Sequence, residues 1–262
     1  MSDYYIINAN ETEKEIINNI IKYIQHCYSH KLKIESLNGI EVVDKLSGGA
    51  SGRAFRDKMF LARENGLNVL KYKNYNKPGI ILDDELKDVI STIYHELWHI
   101  STWKKYEYMY ESVLNDNIDD ITAYAYMYWI EYIGHLETVF MEVPKKAQEF
   151  CQSFSCAKWE KDQSHYIYFV KSLPYYLARS QYLGIFEELT IKIECKELKE
   201  AVYEFDYTSK QLLGNEYMDD IQKANIIKEK IIHKNAITDI LSFLFNKKLT
   251  NTITNIPIPI KL

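Results

Sequence analysis

The segment Tyr94–His99 reads YHELWH and carries residue types that can bind a metal ion and activate water. His95 and His99 are four positions apart, a spacing that places both imidazoles on one face of an α-helix, one turn from each other. Two ring nitrogens can then reach one cation. Glu96 would lie beside the metal rather than on it, where its carboxylate can take a proton from a metal-bound water. The pattern predicts a metal-dependent hydrolytic site.

The sequence contains a second histidine pair with the same spacing, His26 and His30, near the end of another predicted helix. Cys27 rather than a glutamate follows the first of these histidines, so the pair has no adjacent acid to activate water. We interpret His26 and His30 as solvated histidines without a chemical role.

The YHELWH segment requires a helix, and the preceding residues predict one. Asp83 or Asp84 is a suitable N-cap. Apolar residues then recur at helical spacing, at Leu86, Val89, Ile90, Ile93, Leu97 and Ile100. The two histidines and Glu96 fall on the less apolar side of this helix, where they would face a cleft.

A catalytic zinc usually has three protein ligands and a water molecule, so one ligand must come from elsewhere. The longer pattern HExxHxxGxxH is absent, because Thr102 stands at the glycine position and Lys105 at the third histidine. A downstream carboxylate is the remaining choice. The stretch from Tyr106 to Pro144 offers eight acidic residues and no lysine or arginine.

Glu131 is the preferred third ligand. It is the only charged residue in Ile121–Gly134, a run of apolar and aromatic residues, so we expect its carboxylate to be partly buried. A buried carboxylate needs a partner, and a metal ion would serve. A salt bridge to a basic residue of the C-terminal half is the structural alternative. Other candidate ligands are Glu107, Glu111, Asp119, Asp120 and Glu137.

The elements around these residues predict an α+β protein. Short apolar runs between Lys33 and Leu82 are separated by turn residues and predict a small, mostly antiparallel sheet. The glycine-rich segment Ser47–Gly52 is interpreted as a flexible connection between strands. From Asp83 onward the pattern is helical, with Pro144 and Pro174 as helix boundaries. We expect one domain over residues 1–145 that contains the HExxH helix, and a helical C-terminal region over 146–262 that packs on it.

Composition narrows the functional classes. The 262 residues carry a net charge of -5, whereas proteins that grip nucleic acid usually have a basic excess, so no nucleic-acid partner is expected. No stretch reaches the roughly 18 apolar residues of a membrane span, and the first residues do not resemble a signal peptide. Four cysteines form no CxxC pair. We expect a cytoplasmic protein with reduced thiols and no membrane partner.

The segment from Lys33 to Glu142 resembles a minimal gluzincin, a zincin-like HExxH zinc metallopeptidase of the phage-related or ImmA/IrrE-like kind. The resemblance rests on strands followed by an edge-like strand at Gly79–Leu82, the helix with HExxH, and a later helix with Glu131-Tyr132. It implies zinc bound by His95, His99 and Glu131, with Glu96 as general base. It also implies that Gly79–Leu82 pairs with an extended substrate.

One position departs from the family pattern. Thermolysin-type gluzincins place an aspartate four residues after the ligand glutamate, to orient a ligand histidine, whereas His135 stands there in this chain. Support for the ligand histidines must therefore come from other residues.

The expected function is hydrolysis of peptide bonds in a peptide or protein substrate by a zinc-bound water that Glu96 activates. The alternative is a non-catalytic zincin-like protein-binding module of a phage or mobile element. The intact Glu96 argues against that alternative, and His135 at the aspartate position argues for it. Five residues are candidate donors to the oxyanion: Tyr132, His135, His165, Tyr166 and His233.

Overall fold

The computed structural model describes residues 4–28, 30–64, 66–67, 83–115, 117–158 and 163–233. The predicted strand Gly79–Leu82 lies outside the described residues. The described residues fall into two compact units. The first unit contains those up to Lys105 together with Phe140–Val143, and the second contains Tyr106–Val139 and those from Pro144 onward. The expected division between residues 145 and 146 stays a prediction.

The first unit contains a four-stranded sheet with the strand order β1-β2-β4-β3. The strands are β1 (Tyr5–Ile7), β2 (Gly39–Val43), β3 (Gly52–Phe55) and β4 (Lys58–Ala62). The pairs β1–β2 and β2–β4 are parallel, and β3–β4 is antiparallel. The prediction of a mostly antiparallel sheet is therefore wrong, whereas the α+β class is confirmed.

The connections explain the mixed sheet. Helix α1 (Glu11–Tyr28) links β1 to β2, and a helical crossover returns the chain in a parallel direction. Among the strands that the structure describes, β3 and β4 form a hairpin around Arg56 and Asp57, with Arg56 at a φ of 54°. In the sheet, β4 lies between β2 and β3. The glycine-rich segment lies between β2 and β3, so its prediction as a connection between strands is confirmed; it contains a short 3-10 helix at Ser47–Gly49, and Gly52 begins β3.

Helix α1 begins with reciprocal capping bonds. The Asn10 side chain accepts from the Glu13 N–H, and the Glu13 carboxylate accepts from the Asn10 N–H, both at 2.9 Å. The buried carboxylate of Glu13 also pairs with Arg63, whose Nε lies 2.8 Å from Oε1. Four isoleucines at helical spacing on this helix are buried: Ile17, Ile20, Ile21 and Ile24.

Helix α2 (Asp84–Leu114) carries the HExxH segment. Asp83 is its N-cap, because the Asp83 side chain accepts from the Leu86 N–H at 2.9 Å. All six residues of the predicted apolar stripe are buried: Leu86, Val89, Ile90, Ile93, Leu97 and Ile100. The helix begins in the first unit and ends in the second, with the division at Lys105.

The second unit is helical where it is described. Its further helices are α3 (Asp120–Thr138), α4 (Pro144–Ser155), α5 (Gln163–Tyr182), α6 (Phe186–Thr190), α7 (Lys196–Leu213) and α8 (Asp220–His233). Helix α3 packs against α5 and α8. Pro174 lies inside α5, so its prediction as a helix boundary is wrong. Within the part of the chain that the structure describes, every helix is too short or too polar to cross a membrane.

Candidate metal and catalytic site

The two histidines of α2 converge as their spacing predicts. The Nε2 atoms of His95 and His99 are 3.0 Å apart. Their rings are nearly perpendicular, with an interplanar angle of 87° and centroids 4.6 Å apart. His99 is buried and His95 is half-buried. One helical turn alone therefore brings both nitrogens to a common point.

This separation is compatible with a shared metal ion. Tetrahedral zinc with nitrogen ligands at about 2.0–2.1 Å places two such nitrogens about 3.3–3.4 Å apart. The observed 3.0 Å is a few tenths shorter, so small rotations of the side chains would suffice. The distance also suits an N–H···N hydrogen bond between neutral imidazoles, and the neutral ring is the form that binds metals.

Glu96 is buried close to strand β3. A Cβ atom added at Gly52 would lie 2.9 Å from the Cγ of Glu96 and 2.8 Å from the Cγ2 of Thr92. No residue with a side chain fits there unless its neighbours move. The absence of a side chain at Gly52 thus allows β3 to approach the acidic side chain. Sequence reasoning missed this role, although the glycine lies at the end of a glycine-rich segment.

Arg53 follows Gly52 and is a second residue that sequence reasoning missed. The residue is only 4% exposed. Its Nη2 donates to the Ser47 hydroxyl at 2.8 Å. Burial lowers the pKa of the Arg53 guanidinium, and the negative charge of Glu96 acts in the opposite direction. A buried cation therefore acts electrostatically on the candidate general base.

Glu131 lies in the second unit and is only 4% exposed. The Tyr175 hydroxyl donates to its Oε2 at 3.4 Å, and the Nε2 of His135 lies 3.9 Å from the same oxygen. The His135 ring is also buried, with its centroid 4.1 Å from that of Tyr175. The expected burial of Glu131 is confirmed. Its assignment as a zinc ligand stays a prediction.

Two alternative ligands are in less suitable environments. Asp119 is the N-cap of α3 and accepts from the Thr122 N–H and hydroxyl. Partial burial raises the pKa of Asp119, but these hydrogen bonds and the ammonium of Lys228 outweigh that effect and lower it to about 2. Glu107 is exposed on α2. Neither side chain has the buried position of Glu131.

The candidate oxyanion donors are not equivalent. The buried Tyr132 hydroxyl donates to Oε1 of Gln181 at 2.9 Å, and burial raises the pKa of the Tyr132 phenol. This hydroxyl is therefore already engaged inside the helical packing. Tyr175 is less buried and lies beside Glu131, but the sequence pattern did not single it out. The side chains of His165, Tyr166 and His233 lie outside those described.

The second histidine pair has no shared helical face. Helix α1 ends at Tyr28, so His26 lies within the helix and His30 beyond it. Both histidines are exposed. These positions agree with the interpretation of His26 and His30 as solvated side chains.

Comparisons of the chain with protein-family models, with curated proteins and with solved structures gave no match.

Proposed function

We propose that the chain is a zinc-dependent metallopeptidase in which His95, His99 and Glu131 bind the metal and Glu96 is the general base. The observation that carries this proposal is the convergence of the His95 and His99 Nε2 atoms at 3.0 Å, with a buried glutamate at the position after the first histidine. Imidazole nitrogen and carboxylate oxygen are the donors that zinc prefers at catalytic sites.

Zinc, when bound, supplies Lewis acidity towards water and towards the scissile carbonyl. Glu96 accepts a proton from the attacking water and delivers it to the leaving amine. The burial of Glu96 limits its contact with bulk solvent, which strengthens its interaction with charges that develop during the reaction.

Strand β3 offers a place for an extended substrate in this proposal. It is an edge strand among the described residues, paired with β4 on one side, and an edge has backbone groups available for a further strand. Gly52, at the start of β3, approaches Glu96 closely. A peptide that pairs with β3 would place its backbone near the general base. This role was expected for Gly79–Leu82, which the structure does not describe.

Metal analysis together with a cleavage assay tests the proposal. The purified full chain should contain one equivalent of zinc, and it should hydrolyse members of a mixed peptide library. A chelator should stop the cleavage, and added zinc should restore it. A chain without bound zinc that cleaves no peptide after zinc is added would contradict the proposal.

The surroundings of Glu131 support a second candidate, a non-catalytic metal-binding module that binds a partner protein. Glu131 and His135 are both buried in the second unit, and the Nε2 of His135 lies 3.9 Å from the Oε2 of Glu131. This pair can supply one nitrogen and one oxygen ligand to a metal ion that is not used for catalysis. A zinc-loaded chain that cleaves no peptide would favour this candidate. Zinc loss on substitution of His135 by alanine would strengthen it.

A further inference from the structure

Arg53 has more hydrogen-bonding capacity than its surroundings use. The guanidinium has five N–H donors, and its hydrogen bond in the structure runs from Nη2 to the Ser47 hydroxyl at 2.8 Å. The buried Nε atom has no hydrogen-bond partner among the described residues. Buried charged groups with unmatched donors are costly and rare. Arg53 therefore has more N–H donors than the described residues satisfy.

The location of Arg53 relates it to the candidate catalytic residues. It lies in the edge strand β3, directly after Gly52, whose backbone closely approaches Glu96 and Thr92. The charge of Glu96 acts on the guanidinium. All of these residues belong to the first unit.

We propose that Arg53 is a specificity-determining residue that binds a carboxylate of the substrate, supplied either by the C-terminus of a peptide or by an aspartate or glutamate side chain. That the bound molecule is a substrate rests on the proposed peptidase function. Binding of a carboxylate by Arg53 does not require a metal ion and can be tested without one. The planar guanidinium fork matches the two oxygens of a carboxylate. Its positive charge also offsets the repulsion between Glu96 and a second negative group.

Calorimetric titration of the full chain in the presence of chelator tests this inference without cleavage of the probes. One pair of probes is N-acetyl-Ala-Ala and its C-terminal amide. The other pair is N-acetyl-glutamate amide and N-acetyl-glutamine amide. We expect at least one carboxylate probe to bind about 10- to 100-fold more tightly than its neutral twin, the range for hydrogen bonds to charged groups. The pair that shows the preference identifies the source of the carboxylate.

Substitutions of Arg53 test whether this residue causes the preference for carboxylate probes over their neutral twins. Arg53→Met should abolish it, and Arg53→Lys should reduce it because the fork is lost. The control is Arg56→Met, which removes the same charge from the exposed turn of the same hairpin and should keep the preference. Circular dichroism establishes that each variant is folded. If Arg53→Met does not fold, Arg53→Lys and the wild-type comparison still decide the matter.

Equal binding of both carboxylates and their neutral twins by the wild type would overturn the inference. An undiminished preference in the Arg53→Met or Arg53→Lys variant would also overturn it. The proposed function can fail separately: a chain that prefers carboxylates but neither binds zinc nor cleaves peptides retains the Arg53 site. If the chain binds zinc and cleaves peptides but shows no preference for carboxylate probes, the inference about Arg53 is wrong and the proposed function stands.

Discussion

The His95–His99 pair of the first unit and the Glu131 cluster of the second bring polar side chains together by different means. The two histidines lie on one helix, and the 3.0 Å between their Nε2 atoms follows from a four-residue spacing. Glu131 is near His135 on its own helix, but its hydrogen bond from Tyr175 comes from α5, 44 residues further along the chain. The first arrangement is local, whereas the second depends on packing between helices.

This difference decides at which residues a substitution should alter metal binding without altering the stability of the fold. The histidine pair needs only an intact α2, and His95 is half-buried, so substitution of His95 should alter metal binding with little effect on packing, whereas His99 is buried. The Glu131 cluster is part of the interior, with Glu131 and His135 both buried. Substitution in that cluster can alter metal binding, stability or both, and an experiment must separate them.

The largest expected effect is the loss of metal from the local arrangement. The double substitution of His95 and His99 by alanine should reduce zinc from one equivalent to none, because it removes two of three proposed ligands. Metal analysis after dialysis measures this content. His26→Ala, at an exposed position of α1, is the matched control and should keep its zinc. Stoichiometric zinc in the double variant would contradict the assignment.

A change at Glu96 should separate chemistry from metal binding within the same local arrangement. Glu96→Gln keeps the shape but does not accept a proton from water, so peptide cleavage should fall by about 10²- to 10⁴-fold. Zinc content should stay at one equivalent. Loss of the metal in this variant would instead make Glu96 a ligand.

The packed arrangement is tested at Glu131. Glu131→Ala should weaken zinc affinity by at least about 10- to 100-fold, the range already found when residues that only support ligands are changed. Melting temperatures with zinc and with chelator separate the two possible roles. A ligand role predicts a large loss of stability only with zinc. Glu149→Ala, at an exposed position of α4 in the same unit, is the control.

Equal destabilisation of Glu131→Ala with zinc and with chelator would give a different answer. Glu131 would then have a structural role in the interior, and its loss would remove the hydrogen bond from the Tyr175 hydroxyl. The third ligand would have to be sought among Glu107, Glu111, Asp119 and Asp120.

Features that depend on residues close together in the sequence were predicted correctly, whereas contacts between distant segments were not. The N-cap Asp83, the buried stripe of α2 and the convergence of its histidines each depend on helical periodicity and are confirmed. The parallel pairings of β2 depend on where distant strands meet, and no turn residue encodes that. The same limit explains why Arg53 and Tyr175 were missed.

Substitution of Gly52 tests how closely strand β3 approaches Glu96 on helix α2. Gly52→Ala places a Cβ within 2.9 Å of Glu96 and should destabilise the protein by about 1–3 kcal/mol through overpacking. Thermal unfolding measures the loss. The control is Gly214→Ala, because the nearest atoms there are 3.8 Å away. A Gly52→Ala variant as stable as the wild type would show that β3 can move away from α2.

The smallest expected effect concerns the cap that begins the helix of Glu131. Asp119→Ala should lower the free energy of unfolding by about 1 kcal/mol, since it removes the acceptor for the Thr122 N–H. Asp119→Asn should lose less, because an amide oxygen can still cap the helix. Denaturant titrations of both variants near neutral pH measure these differences. Equal losses would show that the charge interaction with Lys228 outweighs the cap.

The pH dependence of the Asp119→Asn difference separates the charge from the cap. The folded protein lowers the pKa of Asp119 from 3.8 to about 2, so the ionised carboxylate stabilises the fold. This contribution is fully present above the unfolded pKa and is lost as the pH falls through the folded value. The stability advantage of wild type over Asp119→Asn should therefore shrink between about pH 5 and pH 2. A constant difference over that range would mean that the charge of Asp119 contributes nothing to the start of α3.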